Sequence, residues 1–178
     1  VYHQRVVERF VAVADRGHGP VLDVGCGTGL VGEALAQQGP WAIDGLDLCP
    51  GMLREAETKR NRAGEPVYGS LIEADLTKPL DIATDTYGSV ISAGTFTMGH
   101  VGPEAIGELA RVVRPGGVLV IGVNSAFFGQ RGFDRFLAVL VAEGKLGEPT
   151  ITVHRAFERD DHEHSGDTAH IVVAPVIA

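Results

Sequence analysis

The feature that most limits how this chain can fold is the stretch VLDVGCGTGLVG, residues 21–32. A short apolar run with one acid inside it, Asp23, leads into three alternating glycines, Gly25, Gly27 and Gly29. Glycines that dense let a backbone turn sharply and let a ligand approach it closely. A strand, a bare loop and a helix in that order suit a sheet whose ligands sit at the carboxyl ends of its strands. A tight strand-to-helix turn needs the same glycines, so the flanking residues must decide.

The dinucleotide fingerprint places glycines at the first, third and sixth positions. Counted from Gly25, the sixth position is Leu30, and the third glycine comes early, at Gly29. A phosphate loop is excluded too, because no Gly-Lys-Ser/Thr follows. Asp23 lies in the strand where a dinucleotide domain keeps apolar residues, and an acid there suits a ligand carrying an ammonium and a sulfonium group. Asp47 ends the next strand-like run, where a carboxylate can accept from both ribose hydroxyls. Asp75 ends the third, where it can accept from an adenine amino group beside the Leu76 backbone.

The rest of the chain alternates strand-like and helix-like segments. Val6, Val7, Phe10, Val11 and Ala14 share one face of a first helix over residues 2–15. Strands are expected over 21–24, 41–48, 67–75, 87–94 and 118–123, with RPGG (114–117) as a turn. Helices begin at Leu30, Pro50 and Pro103. A Phe-rich loop, a helix over 133–143 and two more strands, 150–157 and 169–177, complete the pattern. Such alternation implies an α/β fold, a parallel sheet with helices on both faces. Residues 1–178 read as a single domain.

Hydrophobic residues make up 44% and charged ones 21%, as in ordinary globular proteins. No apolar run approaches the ~20 residues that span a bilayer, so no membrane partner is expected. A net charge of −8 provides no basic field for phosphate backbones, so nucleic acid is disfavoured as a main partner. Two cysteines, Cys26 and Cys49, and no signal peptide point to a cytoplasmic setting.

VLDVGCGTG, GLDLCPGMLREA, EADL, YGSVISAGTFTMGHV and LARVVRPGGVLVIGV, in that order, resemble the successive motifs of class I S-adenosylmethionine-dependent methyltransferases. More narrowly, AGTFTMGHV with AIGELARVVRPGG is similar to the methyltransferase-like proteins of the Williams–Beuren syndrome chromosome region. The resemblance implies a Rossmann-like, doubly wound seven-stranded sheet in a three-layer αβα sandwich, ordered 3-2-1-4-5-7-6 with the last strand antiparallel. It implies S-adenosylmethionine as cofactor, with S-adenosylhomocysteine as product. Gly25, Cys26, Gly27, Thr28 and Gly29 would then hold the methionine and ribose portions, and Asp47 the ribose hydroxyls. Leu48 and Met52 would pack on adenine, Asp75 and Leu76 would meet its edge, and Ala93 and Gly94 the methionine backbone. Two departures stand out. Gly88 replaces an acid common at the start of the fourth strand, and the N-terminal helical lid of the family is expected to be short or missing here.

Methyl transfer from a sulfonium is an in-line displacement, in which the protein chiefly aligns the reacting atoms. His100, in the loop after the fourth strand, is the candidate general base, with helix capping as its plain alternative. Phe127, Phe128, Arg131 and Phe133, near Asn124, form either a substrate wall or a cap with core phenylalanines, the latter favoured; Phe96 and Met98 share that ambiguity. Asp160, Asp161, His162, Glu163, His164 and His170 match no metal-ligand spacing and read as a solvated turn, so no metal is expected. The expected function is methyl transfer to an oxygen or nitrogen of a small-molecule acceptor. The alternative is a protein that binds S-adenosylmethionine or S-adenosylhomocysteine without turnover, and a nicotinamide-dependent dehydrogenase is a third reading, opposed by Leu30 and Asp23.

Overall fold

The structure, a computed structural model, describes residues 2–97, 99, 101–155 and 168–178. Chain order is α1 (Tyr2–Val13), a 3-10 turn (Arg16–His18), β1 (Val21–Val24), α2 (Leu30–Ala36), β2 (Ile43–Asp47), α3 (Pro50–Ala56) and β3 (Leu71–Glu73). It continues with β4 (Tyr87–Phe96), α4 (Ala105–Val112), β5 (Val113–Asn124), α5 (Ser125–Arg131), α6 (Phe133–Ala142), β6 (Thr150–Arg155) and β7 (Thr168–Pro175).

These strands form one seven-stranded sheet, ordered β3-β2-β1-β4-β5-β7-β6. The pairs from β3 to β5 are parallel, and β7 is antiparallel to both neighbours. The order and the reversed last strand are those the resemblance implies. β1 is buried along its whole length because helices cover both faces of a parallel sheet. Val6, Val7 and Phe10 of α1, Val31 and Leu35 of α2, and Leu53 of α3 form the core on one face. Ile106 and Leu109 of α4, Phe127 and Phe128 of α5, and Phe133 and Leu137 of α6 form it on the other.

Several boundaries differ from the sequence reading. Of residues 67–75 only Leu71–Glu73 are strand; Val67 donates its amide to Lys59 and Gly69 donates to Ile43, so the chain before β3 runs as a supported loop. The Phe-rich loop is the helix α5, started by Asn124, whose side chain accepts from the Phe127 amide at 3.1 Å. RPGG lies within the β5 span, where the register against β4 shifts between Tyr87 and Ser89. Gly88 has a packing reason: a Cβ there would lie 2.8 Å from the Gly19 amide nitrogen and 2.9 Å from the His18 carbonyl carbon. No acidic side chain fits that approach.

Candidate active site

Where the parallel strands end, the glycine loop and the ends of β2, β3, β4 and β5 enclose a cavity of about 1060 Å³. That reaches the top of the range of ~300–1,000 Å³ usual for ligand sites. Gly25, Cys26, Gly27, Thr28, Asp47, Leu48, Met52, Asp75, Leu76, Ala93 and Gly94, all picked from sequence, line it. Asp23 and Gly29 do not. His100 and Met98 lie outside the described residues, as does the acid- and histidine-rich stretch 160–164.

The loop's shape rests on Gly25. Its φ of 65° is a left-handed value, and a Cβ there would run into the Thr95 side chain. Thr95 itself donates its hydroxyl to the Val24 carbonyl at 3.0 Å, so β4 supports the loop from below. Asp47 is fixed by the loop it faces: the Gly27 amide donates to Oδ2 and the Cys49 amide to Oδ1, each at 2.9 Å. Each oxygen keeps a lone pair for a ligand hydroxyl. Beside it Leu48 and Met52 are 63% and 43% exposed, an uncovered apolar ledge that suits a flat ring.

Asp75 is held down at about 2 by hydrogen bonds from the Thr77 hydroxyl and amide and by Lys78, 3.0 Å away. It therefore stays ionised and able to accept from an amino group. Asp23 lies fully buried beneath the loop instead of on the cavity. Burial pushes its carboxyl up to about 7, against the hydrogen bond that the Tyr68 hydroxyl donates to Oδ2 at 2.7 Å. Oδ1 has no hydrogen-bond partner among the described residues; the Gly32 amide helps the ionised form without reaching it in hydrogen-bond geometry. Tyr68, 45 residues from Asp23, was not singled out in the sequence, because nothing local marks the pair.

Phe127, Phe128 and Phe133 are core, and Arg131 lies over the Phe127 ring at 5.7 Å and pairs with Glu104 at 3.4 Å. Phe96, also buried, touches the cavity. The His170 ring is stacked on Phe128 at 4.3 Å, with the Ser125 hydroxyl 3.0 Å from Nδ1. Among the described residues no group of three or more His, Cys, Asp or Glu could hold a metal ion. Sequence reasoning missed Tyr2 and His3, which α1 brings to the cavity, and Thr97, Gly122 and Ala169. The helical pattern over 2–15 was legible, but not where that helix ends against the sheet.

A family model described as a methyltransferase domain matches residues 21–117. The chain belongs to the methyltransferase domain family. Methyltransferase-like protein 27 of Homo sapiens is 35% identical over 102 residues, 57% of this chain and 39% of that protein. Glycine N-methyltransferase of Rattus norvegicus is 36% identical over 123 residues, 60% of this chain and 41% of that protein. The chain therefore spans about two fifths of these curated relatives. A crystal structure of a TehB-like SAM-dependent methyltransferase from Corynebacterium glutamicum, 24% identical, has the same fold, with a TM-score of 0.64 over 97% of this chain and 86% of that one. The methyl donor of this family is S-adenosylmethionine, and the cavity fits it: a glycine cradle, a preset carboxylate, an apolar ledge and a second carboxylate follow one another along the strand ends.

Proposed function

We propose that this methyltransferase chain binds S-adenosylmethionine along the glycine loop and transfers its methyl group to an oxygen or nitrogen of a small molecule. The observation that carries the reading is Asp47, locked by the amides of Gly27 and Cys49 at the edge of the cavity. Gly25 to Gly29 would support the methionine and ribose parts, Ala93 and Gly94 the amino-acid end, and Leu48 and Met52 the adenine, with Asp75 and Leu76 at its edge. Asp23 would act from beneath the loop: with burial pushing its carboxyl up to about 7, its ionised form would favour the cationic donor over the neutral product. When bound, S-adenosylmethionine supplies an electrophilic methyl group. The chain's own part is to hold donor and acceptor in line and to shed water, which is worth up to roughly 7–11 kcal/mol in favourable intramolecular cases.

A small acceptor is supported by the lining, which holds no lysine or arginine among the described residues, and by a net charge of −8, unfavourable to nucleic acid. One sheet running from β1 to β7 supports a single domain over 1–178. No helix among the described residues is long and apolar enough to cross a membrane. Two free cysteines support a reducing, cytoplasmic setting.

Thermal unfolding with S-adenosylmethionine, S-adenosylhomocysteine and NAD, titrated separately, tests the cofactor assignment. A ligand at a hundred times its Kd adds about 2.7 kcal/mol, which raises Tm by roughly 5–10 °C in a domain of this size. A rise with both adenosyl compounds and none with NAD is expected. Radiolabelled methyl transfer to a panel of small amines and phenols then separates turnover from binding without turnover.

A further inference from the structure

Transfer to a hydroxyl or an amine releases a proton, and a side chain with an open lone pair at the acceptor speeds the step by receiving it. Across β1 and β4 from Asp47, the cavity is lined by Tyr2, His3, Thr95, Thr97, Asn124 and Ala169. Most of their acceptor atoms are committed or unsuited. The Tyr2 hydroxyl donates to the His170 carbonyl at 3.1 Å, and burial pushes its pKa further up. Thr95 donates to the Val24 carbonyl, and Asn124 spends its side-chain oxygen on the Phe127 amide. Thr97 has only a hydroxyl, a poor proton acceptor at neutral pH. His3 is different. Its imidazole has no hydrogen-bond partner among the described residues.

The position of His3 is secured by its neighbours. The Tyr2 ring lies against Gly122, where a Cβ would run into the Tyr2 hydroxyl, so β5 admits the ring only because it carries glycine there. With the bond to His170, this pins the first turn of α1 over the ends of β5 and β7. Val6, Val7 and Phe10, all buried, hold the rest of the helix. His3 is thus presented to the cavity by a rigid element and left free on its ring.

We propose that His3 takes the proton of the methyl acceptor, an inference that rests on the methyl-transfer reading above. The acceptor's lone pair forms the new bond to the methyl carbon, the carbon–sulfur pair stays with sulfur, and the acceptor's proton passes to an imidazole nitrogen of His3 and on to solvent. Partial burial, and after it the positive charge of the amino terminus, hold the imidazole below its ordinary value, so it is neutral and receptive at pH 7.

The test needs no known acceptor. The imidazole resonance of His3, identified by its loss in His3→Gln, is titrated by NMR with the protein saturated by S-adenosylmethionine and, separately, by S-adenosylhomocysteine. The two ligands differ by one positive charge, on the sulfur. A unit charge ~6 Å away lowers proton affinity about threefold even at the dielectric of water, and more in a drier site. Tyr2, Cys26, Asp47, Cys49 and Asp75 also face the cavity, but they are common to both complexes and cancel in the difference. A His3 midpoint at least about threefold lower in proton affinity with the sulfonium bound is the expected result. Equal midpoints, or a ring that does not titrate between pH 4 and 9, would overturn the proposal while leaving the cofactor reading intact. Failure of both ligands to bind would bring down both.

Discussion

The two halves of the cavity are assembled in different ways. On the β1–β3 side, the functional carboxylates are held mostly by near neighbours in sequence: Asp47 by Cys49 and by Gly27, 20 residues away, and Asp75 by Thr77 and Lys78. On the β4–β7 side, contacts join distant parts of the chain: Tyr2 to His170 across 168 residues, Ser125 to His170 across 45, Arg131 to Glu104 across 27. The first half is a set of short turns that present polar groups. The second is a packed junction of helices and strand ends whose shape depends on the core behind it. Ligand affinity should therefore be sensitive on one side and global stability on the other, with Asp23 as the point where the two requirements collide.

The largest expected effect lies at that point. A carboxyl whose pKa is raised on folding to about 7 binds its proton more tightly in the native state, so stability is fully present below the unfolded value near 4 and falls as pH rises to about 7. Asp23→Asn removes the ionisation and keeps an acceptor for Tyr68. Urea unfolding without ligand should show the variant gaining on the native protein between pH 4 and 7 by on the order of 4 kcal/mol, at 1.36 kcal/mol per pH unit, then holding a constant lead. Parallel stability curves would place Asp23 outside this account.

Phe128→Ala comes next. Phe128 stacks on His170 at 4.3 Å and on Phe133 at 5.6 Å between α5 and the sheet. Its truncation should cost about 3 kcal/mol, a fall in Tm of roughly 6–12 °C, while S-adenosylhomocysteine affinity of the folded fraction changes less than about twofold. A large affinity loss by calorimetry would join the two halves into one unit.

The smallest effect is the converse variant, Asp47→Ala. It removes the proposed ribose contact, a hydrogen bond to a charged group of about 1.5–3 kcal/mol, while the Gly27 and Cys49 amides that it releases lie at the open cavity and take water instead. Calorimetry should read a loss of S-adenosylhomocysteine affinity equivalent to about 2 kcal/mol, near thirtyfold, with Tm almost unchanged in the unliganded protein. A variant that unfolds instead of losing affinity would show that the loop depends on this carboxylate for its fold.

Legibility from sequence follows the same division. The alternation of segments made the α/β class plain, and Gly25, Gly27, Asp47 and Asp75 stand where one glycine loop and successive strand ends put them. Four things were not legible. Asp23 turns its carboxyl into the interior, where Tyr68 meets it from the loop before β3, a loop that Gly69 ties to Ile43 of β2. The Phe-rich segment is a helix because Asn124 caps it and the core behind it needs those rings. Gly88 is required by the backbones of His18 and Gly19, which a side chain there would meet. Tyr2 and His3 carry no motif at all.

The sequence by itself determined the alternating elements, the glycine loop and the order of acids along one edge, because periodicity, turn chemistry and strand ends are local properties that need no distant partner. Only the tertiary structure decided which acid faces the cavity, which is buried beneath it, and that the first turn of α1 closes the far wall. Those outcomes depend on contacts between residues tens to more than a hundred positions apart, whose energies exist only once the chain has packed.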